Sequence, residues 1–412
     1  MSKGAVGLVA GYWPEDIYRY LAIPGLSLDE GVVVRPARRR PDHPALALDA
    51  RAIGYRQLSQ DVDRASALLR AAVGPAGRVA LVASDPLDTA RLLLGALRGR
   101  HVACLLDPSA PSGLVRTQIQ SFQPSLVIAD EAQAEFVVPG SGEGWRTLTA
   151  EAFWAGEAGP TAAAGRVDLK AAALALVGSE GRLVYHSHSS LVAWAVSWSA
   201  FVPLTDESVV LILEPLWRWS ALAAALAVLF RGGTAVLAGP DVAPELTATL
   251  RQYHPAYVVL RLADAERLAS EGGAVLRTAL RESVAGAFTV VDRPFATRVR
   301  RRGEAGLGVP SLTLLGDAAA GPVLASHPTW YVDEAVGIPV TNVDVWPLST
   351  VSREPLPVPW EAIEYGEVGV RSPLVAVDYQ AAEDRDRRVT GAWVRMGVVA
   401  TMDPNGLFYL RS

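Results

Sequence analysis

Three apolar runs decide the reading of this chain: Val79-Ala80-Leu81-Val82-Ala83, Val102-Ala103-Cys104-Leu105-Leu106 and Leu126-Val127-Ile128-Ala129-Asp130. Each has the length of a strand. Between them lie Asp88 to Leu97 and Val115 to Phe122, which read as helices, and upstream Gln57 to Ala72 places Leu58, Val62, Ala65, Leu68 and Leu69 at helical spacing. Strands separated by helices predict a mainly parallel sheet with helices on its faces. The same alternation resumes further on. Ala171 to Val177 reads as a strand, Ser189 to Phe201 as a helix, Val209 to Leu213 as a strand and Ala221 to Phe230 as a helix, followed by strands Thr234 to Leu237 and Tyr257 to Leu260. From about Ile338 the pattern changes to short β-type runs broken by Pro and Gly, around Val343 to Trp346, Glu367 to Arg371, Val394 to Ala400 and Leu407 to Leu410. That pattern predicts a small antiparallel sheet or barrel. The expected organisation is therefore two α/β subdomains, residues 1–168 and 169–337, and a small β subdomain, residues 338–412. Residues 138–168, rich in Gly, Ala and Thr, read as a linker or surface excursion. Within them, Pro139 to Gly144 has no lysine and no following Ser/Thr pair, so it reads as a turn and not as a phosphate loop.

The totals narrow the chemistry. The chain has 412 residues, a formal charge of −5 and 38 basic side chains, of which only Lys3 and Lys170 are lysines. Arginine stays charged and forms no Schiff base, so any amine chemistry must use one of those two positions. The mild acidity, without a broad basic stripe, argues against nucleic acid as a partner. Arg38-Arg39-Arg40 and Arg300-Arg301-Arg302 read as solvated surface. Cys104 is the only cysteine, which excludes an intrachain disulfide, and its apolar neighbours make it a core thiol. The longest lipid-like run, Ser220 to Phe230, is too short to span a bilayer at about 20 residues. With no signal-peptide pattern at the start, the expectation is a soluble cytoplasmic protein without membrane contact.

Several short markers then occur in order. They are Gly54-Tyr55-Arg56-Gln57-Leu58, Leu105-Leu106-Asp107-Pro108-Ser109, Tyr365-Gly366-Glu367-Val368-Gly369-Val370-Arg371 and Asp403-Pro404-Asn405-Gly406-Leu407-Phe408-Tyr409. Together they resemble the adenylate-forming superfamily of acyl-CoA synthetases, luciferases and peptide-synthetase adenylation domains. The resemblance implies that family's large domain, an ATP site and an adjoining acyl or amino-acid pocket. The motifs that hold nucleotide in the family depart from its pattern here. Its phosphate loop, T-S-G-[ST]-T-G-x-P-K-G, is matched by Leu176-Val177-Gly178-Ser179-Glu180-Gly181-Arg182. Gly178, Ser179 and Gly181 fit, but Glu180 stands in a threonine position and the lysine is missing. A carboxylate about 4 Å from a phosphate costs about 4 kcal/mol per charge pair at an effective dielectric of 20. Y-G-x-T-E, whose threonine and glutamate serve phosphate and Mg²⁺, is matched by Leu315-Gly316-Asp317-Ala318-Ala319. T-G-D, whose aspartate holds the ribose hydroxyls, is matched by Met396-Gly397-Val398. Valine accepts no hydrogen bond, and each buried, unpaired hydroxyl costs about 1–3 kcal/mol. The last residues, Leu410-Arg411-Ser412, fall where the family's hinge begins, so the mobile lysine-bearing small domain is expected to be absent.

The resemblance places the acyl pocket along Glu214 to Leu222, and its candidate lining is Trp217, Arg218, Trp219 and Ser220, with His186 and His188 nearby. Two tryptophans around an arginine offer either an anion or aromatic site, by stacking and cation–π contact worth about 0.5–2 kcal/mol, or simple packing. Trp194 and Trp198, four apart, read as core. His186 and His188 read as two imidazoles on one side of a strand, without the further ligands a metal needs. The expectation is a pseudoenzyme: no ATP, Mg²⁺ or other cofactor, and a role in binding a carrier protein or partner enzyme of a specialised-metabolite pathway. Two alternatives stand beside it. One is ATP-independent chemistry on an acyl or aryl substrate through Arg218, His186, His188, Asp317 or Glu180. The other is an adenylating enzyme completed by a small domain in trans.

Overall fold

The computed structural model describes residues 17–138, 140, 144–157, 167–178, 181–238, 243–291, 297–357, 363–404 and 406–411. A seven-stranded sheet runs in the order Asp378–Tyr379, Leu183–Ser187, Ala172–Val177, Val102–Leu105, Arg78–Val82, Leu126–Ala129, Arg146–Thr149. Its central pairs are parallel, as in Ala80 opposite Cys104 and Val127, because each connection between those strands is a helix that returns the chain to the same end. A nine-stranded sheet runs Ile338–Pro339, Gly321–Ala325, Ser311–Asp317, Gly286–Val291, Tyr257–Arg261, Val209–Ile212, Thr234–Leu237, Pro44–Leu48, Arg51–Gly54. It too is parallel at its centre and antiparallel at both edges. The α/β class and the antiparallel C-terminal sheet match expectation. That last sheet joins Asp344–Leu348, Ile363–Arg371, Trp393–Met402, Val389–Thr390 and Phe408–Leu410.

The helices His188–Phe201 and Trp219–Arg231 are buried nearly all round. A helix apolar on every face must be covered on every face, and these two contribute to the main core together with residues of all three sheets. Trp194 and Trp198 are core residues, 0% and 2% exposed. Cys104 is buried as expected, and desolvation pushes its thiol pKa up, so it is no nucleophile at neutral pH.

The sheets do not divide the chain at single points. Pro44–Leu48 and Arg51–Gly54 pair into the nine-stranded sheet, whereas Ala172–Val177 and Leu183–Ser187 pair into the seven-stranded one. The expected cut at 168/169 thus falls between strands that the two sheets share out across it. Residues 138–168 are more than a linker: Arg146–Thr149 forms an edge strand and Ala150–Trp154 a short helix capped by the Thr149 side chain. The turn expected at 139–144 lies largely outside the described residues. Arg300 also departs from the surface reading. It is 2% exposed, pairs with Asp333 and lies over the Tyr331 ring at 4.6 Å, because its helix turns this face inward.

Candidate functional site: a cleft where three sheets meet

Strand Leu183–Ser187 of the first sheet, strand Ser311–Asp317 of the second and strands Ile363–Arg371 and Trp393–Met402 of the third meet around a cleft of about 500 Å³. Gly178, Gly316, Asp317 and Val398, matched by sequence to three separate nucleotide motifs, all line it. Gly181 lies in the adjoining turn with φ +73°, and Ser179 and Glu180 lie outside the described residues. Ala318 and Ala319 are buried in the turn that follows Asp317 and do not line the cleft.

The cleft's charged groups are held by one another. Glu367 Oε2 accepts from Arg395 Nε at 2.8 Å, and Glu367 Oε1 accepts from the backbone N–H of Gly397 at 3.0 Å. Arg388 donates to Asp317 and, at 3.1 Å, to the carbonyl of Arg395. Arg182 donates to Asp384. Burial works against the Arg388 charge, but the Asp317 carboxylate outweighs it and the pKa rises above its ordinary value. Three guanidinium groups thus face three carboxylates. The remaining wall is apolar, from Leu183, Val184, Leu315, Met396 and Val398. Among the described residues, Tyr379 Oη and Asp384 Oδ2 are buried without a hydrogen-bond partner. Burial pushes the Tyr379 phenol up to about 12, with Arg388 opposing the shift, so it is neutral at physiological pH.

A hairpin between Ser311–Asp317 and Gly321–Ala325 shapes one side. Asp317 Oδ1 accepts from the N–H groups of Ala319 and Ala320 at 2.9 and 2.7 Å, which closes the turn. Two glycines allow indoles to lie against it. A Cβ at Gly316 would stand 2.6 Å from the Trp219 ring, and one at Gly321, where φ is +71°, would stand 2.5 Å from Trp194 Nε1. The space beside the hairpin is therefore filled by tryptophan.

The expected pocket group is not brought together. Arg218 Nε donates to Glu214 at 2.7 Å and Ser220 Oγ donates to the other oxygen of the same carboxylate at 3.0 Å. Glu214 is fully buried, and desolvation raises its pKa against the opposing pull of Arg218. Trp219 packs against Gly316, while Trp217 lines a separate crevice. The two imidazoles diverge, which corrects the single-strand reading. The strand ends at Ser187, whose side chain caps the following helix, so His188 starts that helix. His186 Nε2 faces the Ala318 carbonyl at 2.6 Å, and its ring meets the Trp194 edge at 4.7 Å. His188 Nδ1 accepts from the Leu28 N–H at 3.2 Å. Among the described residues no group of three His, Cys, Asp or Glu side chains has the arrangement of a metal site.

His186 carries a pH prediction. Burial lowers its pKa to about 4, and the short contact with the Ala318 carbonyl requires a proton on Nε2 of a neutral ring. A histidine whose folded pKa is depressed adds stability that is fully present above the unfolded value of about 6.5 and is lost as pH falls towards 4. His101, lowered to about 4 by burial, and His188, lowered by burial, act in the same direction. The urea midpoint should therefore be level above pH 7 and decline between about pH 6.5 and 4. A midpoint that rises over that interval contradicts the buried, neutral assignment.

Sequence reasoning missed Glu367, Tyr379, Asp384, Arg388 and Arg395 as members of this cleft. One signal was available: Ala382-Glu383-Asp384-Arg385-Asp386-Arg387-Arg388 puts both charge signs into a single short helix directly before the altered T-G-D segment.

The model of the AMP-binding enzyme family matches residues 33–380, and the chain belongs to that family. A search of curated proteins by sequence finds no match. Among solved structures, the chain resembles O-succinylbenzoate coenzyme A synthetase from Bacillus subtilis in complex with AMP. The TM-score is 0.81 at 16% identity, over 92% of this chain and 78% of that one. A benzoate CoA ligase from Burkholderia xenovorans LB400 matches with TM-score 0.83 at 19% identity, over 93% and 79%. VinN in complex with L-aspartate matches with TM-score 0.78 at 20% identity, over 97% and 100%. At these identities the likeness establishes the adenylate-forming fold. No helix among the described residues is long and apolar enough to cross a membrane.

Proposed function

We propose that this chain is a non-adenylating member of its family, a binding or auxiliary protein that acts beside a carrier protein or partner enzyme in specialised metabolism. The observation that carries the reading is the self-neutralised cleft. Arg182, Arg388 and Arg395, the groups suited to a triphosphate, each hold a carboxylate of the cleft itself. A nucleotide would have to break those pairs and would bring its phosphates towards Asp317, Glu367 and Asp384. Like charges at such distances cost several kcal/mol unless an ion compensates. At the level where the family holds the ribose, Met396 and Val398 present no acceptor. The residues present therefore do not fit ATP·Mg²⁺. The indoles against Gly316 and Gly321 support the same reading, since they occupy space beside the cleft.

Calorimetry with ATP·Mg²⁺ and a pyrophosphate-exchange assay test it together. The expected result is no saturable heat up to about 1 mM nucleotide and no exchange. Micromolar binding with exchange would overturn the proposal. Capture of a carrier protein from the same host in a pull-down is the positive arm.

A further inference from the structure

We propose that the helix Ala382–Arg388 is a latched lid over the ion-paired cleft, able to swing out while the rest of the fold stays in place. Its composition is the first sign. Ala382-Glu383-Asp384-Arg385-Asp386-Arg387-Arg388 has one apolar side chain, Ala382, and that side chain is exposed. Seven residues make a marginal helix in water, and a surface helix is ordinarily held down by an apolar stripe. This one turns Asp384 and Arg388 inward instead. They are four apart, hence on one face, and both line the cleft. Glu383, Arg385 and Asp386 are exposed on the outer side. The cleft wall is therefore a single helix thick here.

Charge supplies the latch. Asp384 accepts from Arg182, and Arg388 donates to Asp317 and to the carbonyl of Arg395 at 3.1 Å. The Arg182 side chain is 41% exposed, so this pair lies within reach of solvent, and pairs with an exposed member are weak and screened by salt. The closed form also carries a penalty. Tyr379 Oη and Asp384 Oδ2 lie buried and unpaired, and the charges of Arg388, Asp317 and Arg385 all act on the Tyr379 phenol, which puts it against this helix. Opening gives both atoms to water and removes that cost. The ends of the lid are fixed. Gln380 N–H donates to the Leu183 carbonyl at 2.9 Å, and Gln380 Oε1 accepts from the Leu183 N–H at 2.9 Å. On the far side Val389 and Thr390 pair with Val394 and Trp393 through a turn at Gly391, where φ is +58°. Motion is thus confined to the residues between. The inference rests on what holds the helix and not on what the cleft excludes, so it goes beyond the non-adenylating reading and is tested without nucleotide.

The test is amide hydrogen exchange on the full chain, read by mass spectrometry over residues 381–389, with the buried helix His188–Phe201 as internal reference. Arg182→Met should speed exchange in 381–389 by about fivefold or more and leave the reference helix unchanged. Arg182→Lys, which keeps the charge, should restore most of the protection. Raising NaCl from about 0.05 to about 1 M shortens the screening length to about 3 Å and should loosen the same residues in the unaltered chain. Nitration by tetranitromethane, followed peptide by peptide, should reach Tyr379 several-fold faster in Arg182→Met. Unchanged exchange both in Arg182→Met and at high salt, equal acceleration in the reference helix, or faster exchange with Tyr379 still protected would each overturn the proposal. Its failure leaves the non-adenylating reading standing, and saturable ATP·Mg²⁺ binding in the calorimetry would overturn that reading alone.

Discussion

Trp194→Ala is expected to destabilise the chain by about 3–5 kcal/mol, the range for deleting a fully buried large aromatic side chain. Three separate contacts disappear with the indole. Its Nε1–H donates to the Leu374 carbonyl at 2.7 Å, across to the segment that runs from the small sheet's strand Ile363–Arg371 to Asp378–Tyr379 of the seven-stranded sheet. Its edge packs against His186, and its ring covers the Cα of Gly321. The cavity left behind borders a hairpin whose glycines have no side chains with which to refill it. The Leu374 carbonyl also loses its indole donor, which adds to the cost. Trp217→Ala is the control, because that indole is only partly buried at the rim of a crevice. Urea unfolding of both variants measures the contrast. Equal losses would show that Trp194 does not hold the hairpin.

The second large effect concerns the pair Arg388–Asp317. Asp317→Asn should cost up to about 3 kcal/mol, towards the lower end for a broken buried pair, because both side chains keep some solvent contact. Asparagine retains an oxygen for the Ala319 and Ala320 N–H groups, so the substitution removes the charge while leaving an acceptor for the turn. Arg388→Met should cost less, since Asp317 keeps those two donors whereas Arg388 without Asp317 is a largely buried cation retaining only the carbonyl of Arg395 among the bonds described above. A double variant with leucine at 317 and methionine at 388 should recover part of the loss, because a buried ion pair replaced by apolar groups is often neutral. The order of the two single variants decides the matter. If Arg388→Met is the more damaging, the arginine has a structural role beyond this pair.

Much of the architecture was legible because its signal is periodic. Expected strand and helix bounds in 57–130 and 171–260 agree with the observed ones to within a few residues, as for Gln57–Ala72 against Tyr55–Val73. Elements outside a clear period were missed. Thr297–Leu307, for example, carries three consecutive arginines that hide its helical face. The cleft was half legible. Gly178, Gly316, Asp317 and Val398 could be located by comparing motifs, since motif order is a property of sequence. What those positions face is not such a property. Glu367 and Arg395 enter the cleft through pairing between strands distant in sequence, and Asp384 and Arg388 through a short helix whose mixed charges mark it but do not say what it faces. The direction of His188 was misread for a smaller reason: the Ser187 cap starts a helix one residue before the periodic pattern becomes evident.

The exchange of strands between the two large sheets has a consequence for how the chain is made. Leu46 lies beside Ala235 in register, so the edge formed by residues 44–54 has no neighbour until that much later strand has left the ribosome. Ala103 likewise waits for Leu174. At about 5–20 residues per second of synthesis, the early hairpin stays unpaired for on the order of ten seconds or more, with apolar Ala45, Leu46 and Ala47 uncovered. Such widely separated pairings slow folding and expose the nascent chain to aggregation. Expression yield should therefore depend on chaperone supply and on temperature. Fragments cut at the 168/169 boundary should each be insoluble when made alone and should gain solubility when made together.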